Sequence, residues 1–233
     1  MDIYAIADLH LSFYNPKPMD IFGDNWENHA EKIKKDWENT VKEDDLVLLL
    51  GDFSWETYLK DTYNDFSFLN ELPGKKLLLK GNHDYWWTTI TSMRNFLKEN
   101  NFDNIDFIYN NSYEYDGYII TGTRGWNLNS DDKKIFNREI ERLKLSLEDG
   151  IQKSKECKKV ITCMHYPPIS KYTITSKEKW DFVNIMKMYN VKKCIYGHLH
   201  SESHKEAVEG NIEGIDFELV SADYLNFKLK KII

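Results

Sequence analysis

Short runs of large aliphatic residues alternate with longer amphipathic segments along most of the chain. The run Leu46–Leu50 has no polar position, which is typical of a strand that is buried on both faces of a parallel sheet. Runs of this kind predict five strands, at Ile3–Ala7, Asp45–Leu50, Lys76–Lys80, Val160–Met164 and Lys193–Tyr196.

The segments between these strands carry apolar residues at helical spacing. Helices are predicted at Trp26–Val41, Tyr58–Leu72, Thr88–Glu99, Asp131–Ser154 and around Lys179–Tyr189. Because strands and helices alternate, we expect parallel strands that are joined by right-handed crossovers.

Shorter patterns interrupt this alternation twice and predict further strands. After the third helix, three β-like runs are expected to start a second sheet, and the hairpin signal Asp116-Gly117 separates the last two. Three more runs lie near the C-terminal end. The six runs are Phe107–Tyr109, Ser112–Tyr115, Tyr118–Thr121, Ser203–Val208, Ile212–Val220 and Asn226–Ile232. The whole pattern predicts an α/β fold with two facing mixed β-sheets flanked by helices.

The segment Leu11–Asn25 interrupts the first crossover with two prolines, a glycine and several aromatic residues. It is predicted to be a long ordered loop, and loops of this length inside compact domains are commonly functional. Since it leaves the sheet directly after Asp8 and His10, we expect it to form one wall of any site built from those residues.

Length and composition are consistent with the predicted α/β fold and restrict the expected domain number and cellular location. A chain of 233 residues and 27.7 kDa suits one α/β domain, so residues 1–233 are expected to form a single domain. No run of about 18 apolar residues predicts a membrane span. The segment after Met1 lacks a signal-peptide pattern, and three cysteines without a CxxC motif are expected to be reduced. These features favour a cytoplasmic location.

Polar residues follow the predicted strands at their carboxyl ends, which is where open α/β sheets bind ligands. Gly81-Asn82-His83-Asp84 follows Leu77-Leu78-Leu79, and Gly197-His198-Leu199-His200 follows another strand. We expect the glycines to let the backbone pass close to the site. The candidate metal ligands are Asp8, His10, Asp52, Asn82, His165, His198 and His200.

This donor set contains carboxylate, imidazole and amide groups but no thiolate. Such a mixture suits Mn, Fe or Zn better than Mg or Ca alone. Seven ligands are too many for one tetrahedral ion and suit two ions that share a carboxylate. The sequence therefore predicts two divalent or trivalent transition-metal ions as cofactors.

The motif series resembles the calcineurin-like metallophosphoesterase superfamily from Asp8 to His200. The series consists of Asp-x-His, Gly-Asp, Gly-Asn-His-Asp, a lone His after a strand, and Gly-His-x-His. The resemblance implies a four-layer α/β/β/α sandwich and a metal-dependent phosphoric ester hydrolase. It assigns one metal to Asp8, His10, Asp52 and His200. It assigns the other to Asp52, Asn82, His165 and His198, with Asp52 bridging.

The sequence departs from the family at its second motif. The family often continues this motif with an acidic residue and an arginine, whereas Phe53-Ser54-Trp55 follows Asp52 here. Any role tied to that arginine is therefore not transferred to this chain.

The expected reaction is attack of a metal-bridging hydroxide on a phosphomonoester or phosphodiester. Two ions about 3.5–4 Å apart can lower the pKa of a shared water and neutralise the phosphoryl oxygens. His83 is the candidate that assists the leaving group, and a structural hydrogen-bonding role is its alternative. Asp84 is expected to orient His83 or its backbone.

Three further features are candidates for contact with the substrate. Asn82, beside the metals, and Arg124, between two glycines, could bind a phosphate, the latter through its bidentate guanidinium. An ordinary surface arginine is the alternative for Arg124. The aromatic run Tyr85-Trp86-Trp87 could form a wall for a ring of the substrate, although packing of the helix start is favoured.

Two alternatives share the metal residues but differ in function. A nuclease would need a basic groove, and the net charge of −7 makes nucleic acid an unexpected partner. A protein-interaction scaffold without catalysis, either metal-binding or metal-free, would be expected to lose ligands, but all seven are present. A small phosphorylated substrate is the expected partner, with no membrane association, and the oligomeric state is left open.

Overall fold

Eleven strands and five helices make up the fold in the computed structural model, which describes residues 1–153 and 159–233. The strands are β1 (Ile3–Ile6), β2 (Leu46–Leu50), β3 (Lys75–Leu79), β4 (Ile105–Phe107), β5 (Tyr113–Tyr115), β6 (Tyr118–Thr123), β7 (Lys159–Met164), β8 (Lys193–Tyr196), β9 (Gly210–Ile212), β10 (Ile215–Leu219) and β11 (Lys230–Lys231). The helices are α1 (His29–Thr40), α2 (Tyr63–Glu71), α3 (Ile90–Glu99), α4 (Lys133–Lys153) and α5 (Asp181–Met188). The predicted last residue of α4, Ser154, and Cys157 lie outside the described residues.

Two mixed sheets carry the strands, as the hydrophobic pattern predicts. The first has the order β11-β1-β2-β3-β4, and the second has the order β5-β6-β7-β8-β10-β9. Neighbouring central strands are parallel in both sheets, whereas β11, β5 and β9 pair antiparallel at the edges. The carboxyl ends of the parallel strands therefore meet along one edge of each sheet.

Alternating side chains of the central strands form separate buried layers. Leu48 and Leu50 pack with Ile161 and Ile195 between the two sheets. Leu49, one position along, joins the layer under the helices that cover the first sheet. This period of two explains why β2 is buried at every position. No helix within the described ranges is long and apolar enough to cross a membrane.

Four predicted strands are wrong in part. The run at Ile212–Val220 is divided by a tight turn at Glu213-Gly214, which joins β9 to β10 as an antiparallel hairpin. The run at Phe107–Tyr109 does not begin the second sheet, because α3 returns the chain to pair β4 parallel with β3 in the first sheet. The run at Ser203–Val208 gives way to a 3₁₀ turn over Ser201–Glu206. There the Ser203 hydroxyl accepts the backbone N–H of His200 and donates to its carbonyl, which competes with strand pairing.

The predicted terminal strand at Asn226–Ile232 is also shorter than expected. Its strand, β11, is limited to Lys230 and Lys231, which pair with β1, and the N–H of Ile232 then donates to the carbonyl of Ile3. Asn226 and Phe227 have φ values of 52° and 58°, which lie in the left-handed region and end any extended run. This turn places the ring of Phe227 5.0 Å from that of Trp26.

A buried lysine gives the fold a testable dependence on pH. Lys76 of β3 is 1% exposed, and its Nζ donates to the carbonyl of Leu72, directly after α2. Burial lowers the pKa of Lys76 from 10.5 to about 7. Between these values the unfolded chain binds a proton that the folded chain has released, so this group adds stability as the pH rises from 7 towards 10.

We therefore expect the wild type to gain stability over Lys76→Met as the pH rises, by up to about 1.4 kcal/mol per pH unit. Urea denaturation at pH 7, 8 and 9 measures this difference. Lys75→Met, on the exposed neighbouring position, serves as the control and should show no such trend. Parallel pH curves for the wild type and Lys76→Met would contradict the prediction.

Candidate metal centre

The carboxyl ends of the two sheets bring the predicted ligands together. One ligand atom from each of Asp8, His10 and His200 lies within 4.8 Å of the others, and the same is true of Asp8, Asp52 and His165. Asp8, Asp52 and His165 are buried. The residues that follow β1, β2 and β3 thus meet those that follow β7 and β8 across the gap between the sheets.

The remaining two predicted ligands complete one side of this cluster. Asn82 Oδ1 lies 2.7 Å from His165 Nε2, and His198 Nδ1 lies 3.2 Å from the same nitrogen. Asp52 Oδ2 is 3.6 Å from His165 Nε2 and 3.9 Å from His10 Nε2. Asp52 therefore lies between the two sets of ligands that the family resemblance assigns to separate metals. Asp8 is the residue common to both triads.

Unpaired buried atoms show that the cluster fits cations. Within the described residues, Asp8 Oδ1 and His10 Nδ1 are buried without a hydrogen-bond partner. A buried charged oxygen without a partner is costly unless a cation coordinates it. Burial and the Asp8 carboxylate raise the pKa of Asp52 to about 8, because two adjacent carboxylates repel without a counter-charge. The donor set therefore fits transition-metal ions.

Burial also selects the protonation state of the imidazoles. It lowers the pKa of His10 and His165, so both rings are neutral, which is the form that binds metals. His165 Nδ1 lies 2.9 Å from the Leu50 carbonyl, and this contact leaves Nε2 for the cluster. At His200, burial disfavours the charge, but the Asp8 and Asp223 carboxylates outweigh it and raise the pKa to about 10.

Four candidate ligands have left-handed backbone conformations. The φ angles are 62° at Asp8, 48° at His10, 51° at Asp52 and 72° at His198. Such conformations are uncommon outside glycine, and they cluster at functional sites because the surrounding structure must hold them. The strand ends are therefore bent so that their side chains converge.

Glycines make room for this convergence, which confirms the expectation for Gly81 and Gly197. A Cβ atom at Gly81 would lie 2.0 Å from Asp52 Oδ1, and one at Gly197 would lie 2.8 Å from Asp8 Oδ2. Neither carboxylate could keep its position beside a larger residue.

Asp84 holds two of the ligand-bearing loops together. Its carboxylate accepts the backbone N–H groups of Asp52 at 2.9 Å and Gly81 at 2.7 Å, and also the indole N–H of Trp86 at 3.0 Å. These contacts position Asp52. The bond to Gly81 also holds the backbone of the loop that carries His83, and the hypothesis that Asp84 orients His83 or its backbone stays a prediction.

His83 lies beside the cluster, with its ring centroid 5.9 Å from that of His10 and 4.5 Å from that of Trp55. Its backbone N–H donates to Asp52 Oδ1 at 2.8 Å. Burial lowers the pKa of His83. Its Nδ1 is buried without a hydrogen-bond partner among the described residues, so the ring is not committed to a neighbouring group through that atom.

Arg124 is held by protein contacts and is not an ordinary surface arginine. Its guanidinium lies 3.5 Å from Glu139 Oε1 and 4.6 Å from the ring centre of Trp126, and its side chain is 12% exposed. Binding of a phosphate by Arg124 stays a prediction.

The aromatic run divides into a buried part and an exposed part. Trp86 and Trp87 are buried in the core, which confirms that they pack the helix start. Tyr85 is exposed, with its ring centroid 6.2 Å from that of His83, so a wall for a ring of the substrate stays a prediction for Tyr85.

Asp223 is a site residue that the sequence analysis missed. Its Oδ1 lies 2.9 Å from His200 Nδ1, and its Oδ2 accepts the backbone N–H of Ser201 at 3.1 Å. The contact turns His200 Nε2 towards Asp8 Oδ1, 3.7 Å away. Asp223 follows a predicted apolar strand, so the rule of polar residues at strand ends could have found it.

We expect Asp223→Asn to weaken metal binding about 10- to 100-fold, because carboxylates that orient metal-binding histidines typically contribute this much. Titration of the metal-stripped protein with Mn²⁺ measures the effect. Asp216→Asn, near the start of β10, is the matched control. An unchanged metal affinity in Asp223→Asn would contradict the orienting role.

Known proteins resemble the chain in sequence and fold. A family model described as calcineurin-like phosphoesterase matches residues 1–202. The gene 66 protein of Mycobacterium phage L5 is 32% identical over 78 residues, 34% of this chain and 37% of that protein. The chain thus matches little more than a third of that relative's length.

Two solved structures of low identity share the fold. The phosphopantetheinyl hydrolase PptH of Mycobacterium tuberculosis has a TM-score of 0.60 at 13% identity, covering 100% of this chain and 95% of that one. A Thermus thermophilus protein has a TM-score of 0.58 at 13% identity, covering 98% and 96%. With most of its length matched by the family model and the family's motifs gathered at one edge, the chain belongs to the calcineurin-like phosphoesterase family.

Proposed function

We propose that the protein is a dinuclear metal-dependent phosphohydrolase that acts on a small organic phosphoester. The observation that carries the proposal is the convergence of seven oxygen and nitrogen donors. Asp52 lies between His10 and His165, and buried Asp8 Oδ1 has no hydrogen-bond partner among the described residues. Asp8, His10, Asp52 and His200 would hold one ion, and Asp52, Asn82, His165 and His198 the other. When bound, the ions would supply Lewis acidity that activates water and neutralises phosphoryl charge.

The test uses the purified protein after chelation and after reloading with Mn²⁺. We expect two metal ions per chain, and hydrolysis of nitrophenyl phosphate or bis(nitrophenyl) phosphate that is lost on chelation and restored by metal. A protein that binds two ions but hydrolyses neither ester would overturn the proposed function. An empty, metal-free protein after reloading would favour the scaffold alternative.

His83 is proposed to deliver a proton to the departing ester oxygen. Its half-buried ring lies beside the cluster and lines a cavity together with His10 and Asp52, so a leaving group in that cavity would meet the ring. General acid catalysis typically contributes 10²- to 10⁴-fold. We expect His83→Ala to lower kcat about 10²-fold for an alkyl ester and far less for a nitrophenyl ester, whose leaving group is stable without a proton.

Comparison of the two substrates in the same variant provides the control for folding and metal loss. The metal content of His83→Ala should equal that of the wild type. An equal loss with both leaving groups would show that His83 supports the site structurally, as in the alternative considered from the sequence.

A further inference from the structure

Two cavities lie beside the metal centre and share His198 as a lining residue. The first, called here the apolar pocket, has ligands in its floor and is walled by Met19, Phe22, Trp26 and Trp55. The second, called here the polar groove, runs from His198 past Tyr166 and Trp126 and is lined by Asn127, Asn129, Ser170 and Glu206. A phosphoryl group at the metals would therefore have space for one substituent in each cavity.

The segment after β8 separates the two cavities. Leu199 and Ser203 line the polar groove, whereas His200 and Ser201 line the apolar pocket. His198 lines both cavities, and its ring centroid lies 4.2 Å from that of Tyr166. The residue that the two linings share is thus a candidate metal ligand, so a single substrate could extend into both cavities while its phosphorus stays at the metals.

Contacts within the protein hold the apolar pocket in shape. The Trp55 ring stacks on His10 with centroids 4.7 Å apart, and its indole N–H donates to Met19 Sδ at 3.2 Å. The loop that carries Met19 and Phe22 is tied down where the Phe13 N–H donates to Asp65 at 2.9 Å. This loop is the wall that the sequence predicts.

Part of the apolar pocket's lining is exposed to solvent. Phe22 is 56% exposed although it lines the cavity. His83 faces the same pocket, so a leaving group in it would lie on the side of the proposed proton donor. The polar groove, in contrast, offers amide, hydroxyl and carboxylate groups that suit hydrogen bonds with a hydroxylated substituent.

We propose that the substrate is a phosphodiester with two unlike substituents, an aromatic or other apolar alcohol that departs into the apolar pocket and a hydroxylated substituent that stays in the polar groove. This inference rests on the proposed function. Water provides the oxygen that bonds to phosphorus, and the bond from phosphorus to the apolar alcohol breaks. One water proton ends on that alcohol and the other on the phosphomonoester that is formed.

Three chromogenic probes with the same nitrophenyl leaving group test the assignment: nitrophenyl phosphate, methyl nitrophenyl phosphate and thymidine 5′-nitrophenyl phosphate. We expect kcat/KM for the thymidine diester to exceed that for the methyl diester about tenfold and that for the monoester by more. Two groove hydrogen bonds of ordinary strength would give a difference of this size.

Variants on the two sides should act on different probes. Phe22→Ser should raise KM about tenfold for both diesters, since loss of apolar contact in a pocket has effects of this order. Asn127→Leu should raise KM about fivefold for the thymidine diester only. Thermal unfolding and metal content, measured for both variants, establish that each variant is folded and holds its metal ions.

The outcomes separate this inference from the proposed function. Two outcomes would overturn the inferred diester substrate and leave the proposed phosphohydrolase function intact. One is a metal-loaded protein that prefers the monoester. The other is an Asn127→Leu variant whose KM rises equally for both diesters. A loaded protein that hydrolyses none of the three probes overturns the proposed function and this inference with it.

Discussion

Asp52→Asn is expected to reduce kcat/KM for any phosphoester substrate at least about 10³-fold and to lower the metal content from two ions per chain to at most one. The carboxylate lies between His10 and His165, at 3.9 and 3.6 Å, so its charge serves both sets of ligands. Asparagine keeps the shape but not the charge. Loss of a few kcal/mol of transition-state stabilisation gives a rate effect of this size.

Elemental analysis and steady-state kinetics on the same preparation check this expectation. Asp116→Asn is the matched control, because Asp116 is exposed in the hairpin between β5 and β6, where asparagine is favoured. If Asp52→Asn kept two ions and most of its activity, Asp52 could not be the shared ligand.

Gly81→Ala should have an effect of similar size, although it removes no functional group. The added Cβ would lie 2.0 Å from Asp52 Oδ1 and 2.2 Å from the Asp52 nitrogen, and only movement of Asp52 can relieve this collision. Displacement of a catalytic group by 1 Å can cost about 10²-fold. Together with weaker metal binding, we expect a loss of about 10³-fold in kcat/KM.

A second glycine separates this effect from simple destabilisation. Gly117→Ala adds a methyl group in open space but at a φ of 80°, so it costs backbone energy of about 1 kcal/mol without touching the site. It should lower the thermal midpoint and leave metal content and kcat/KM unchanged. A Gly81→Ala variant with wild-type metal content would contradict the steric argument.

The sequence predicts the site better than it predicts the edges of the fold. Parallel strands end at a common edge of the sheet. The rule that a polar residue after each apolar run lies at this edge therefore predicts that Asp8, Asp52 and His165 lie close together. Local pattern could not place β4, since its sheet depends on where the α3 crossover returns the chain. It also missed the turn at Ser203, where a hydroxyl competes with strand hydrogen bonds.

Residues that act through a ligand were harder to predict than the ligands themselves. Asp223 reaches His200 across 23 positions of sequence, and no short motif joins the two. Trp55 belongs to the run Phe53-Ser54-Trp55, which follows Asp52 where the family often has an acidic residue and an arginine. Its ring stacks on His10, a contact that the motif does not predict. The rule of polar residues at strand ends could have placed Asp223 near the site, but its pairing with His200 depends on three-dimensional proximity, which spacing along the chain does not encode.

The left-handed backbone at Asp8, His10, Asp52 and His198 sets a limit on engineering this protein for heat resistance. Each such conformation costs of order 1 kcal/mol or more, and glycine would relieve that cost at each of the four positions. The same substitution would remove a candidate metal ligand. Backbone stability and chemistry therefore oppose each other at these four positions.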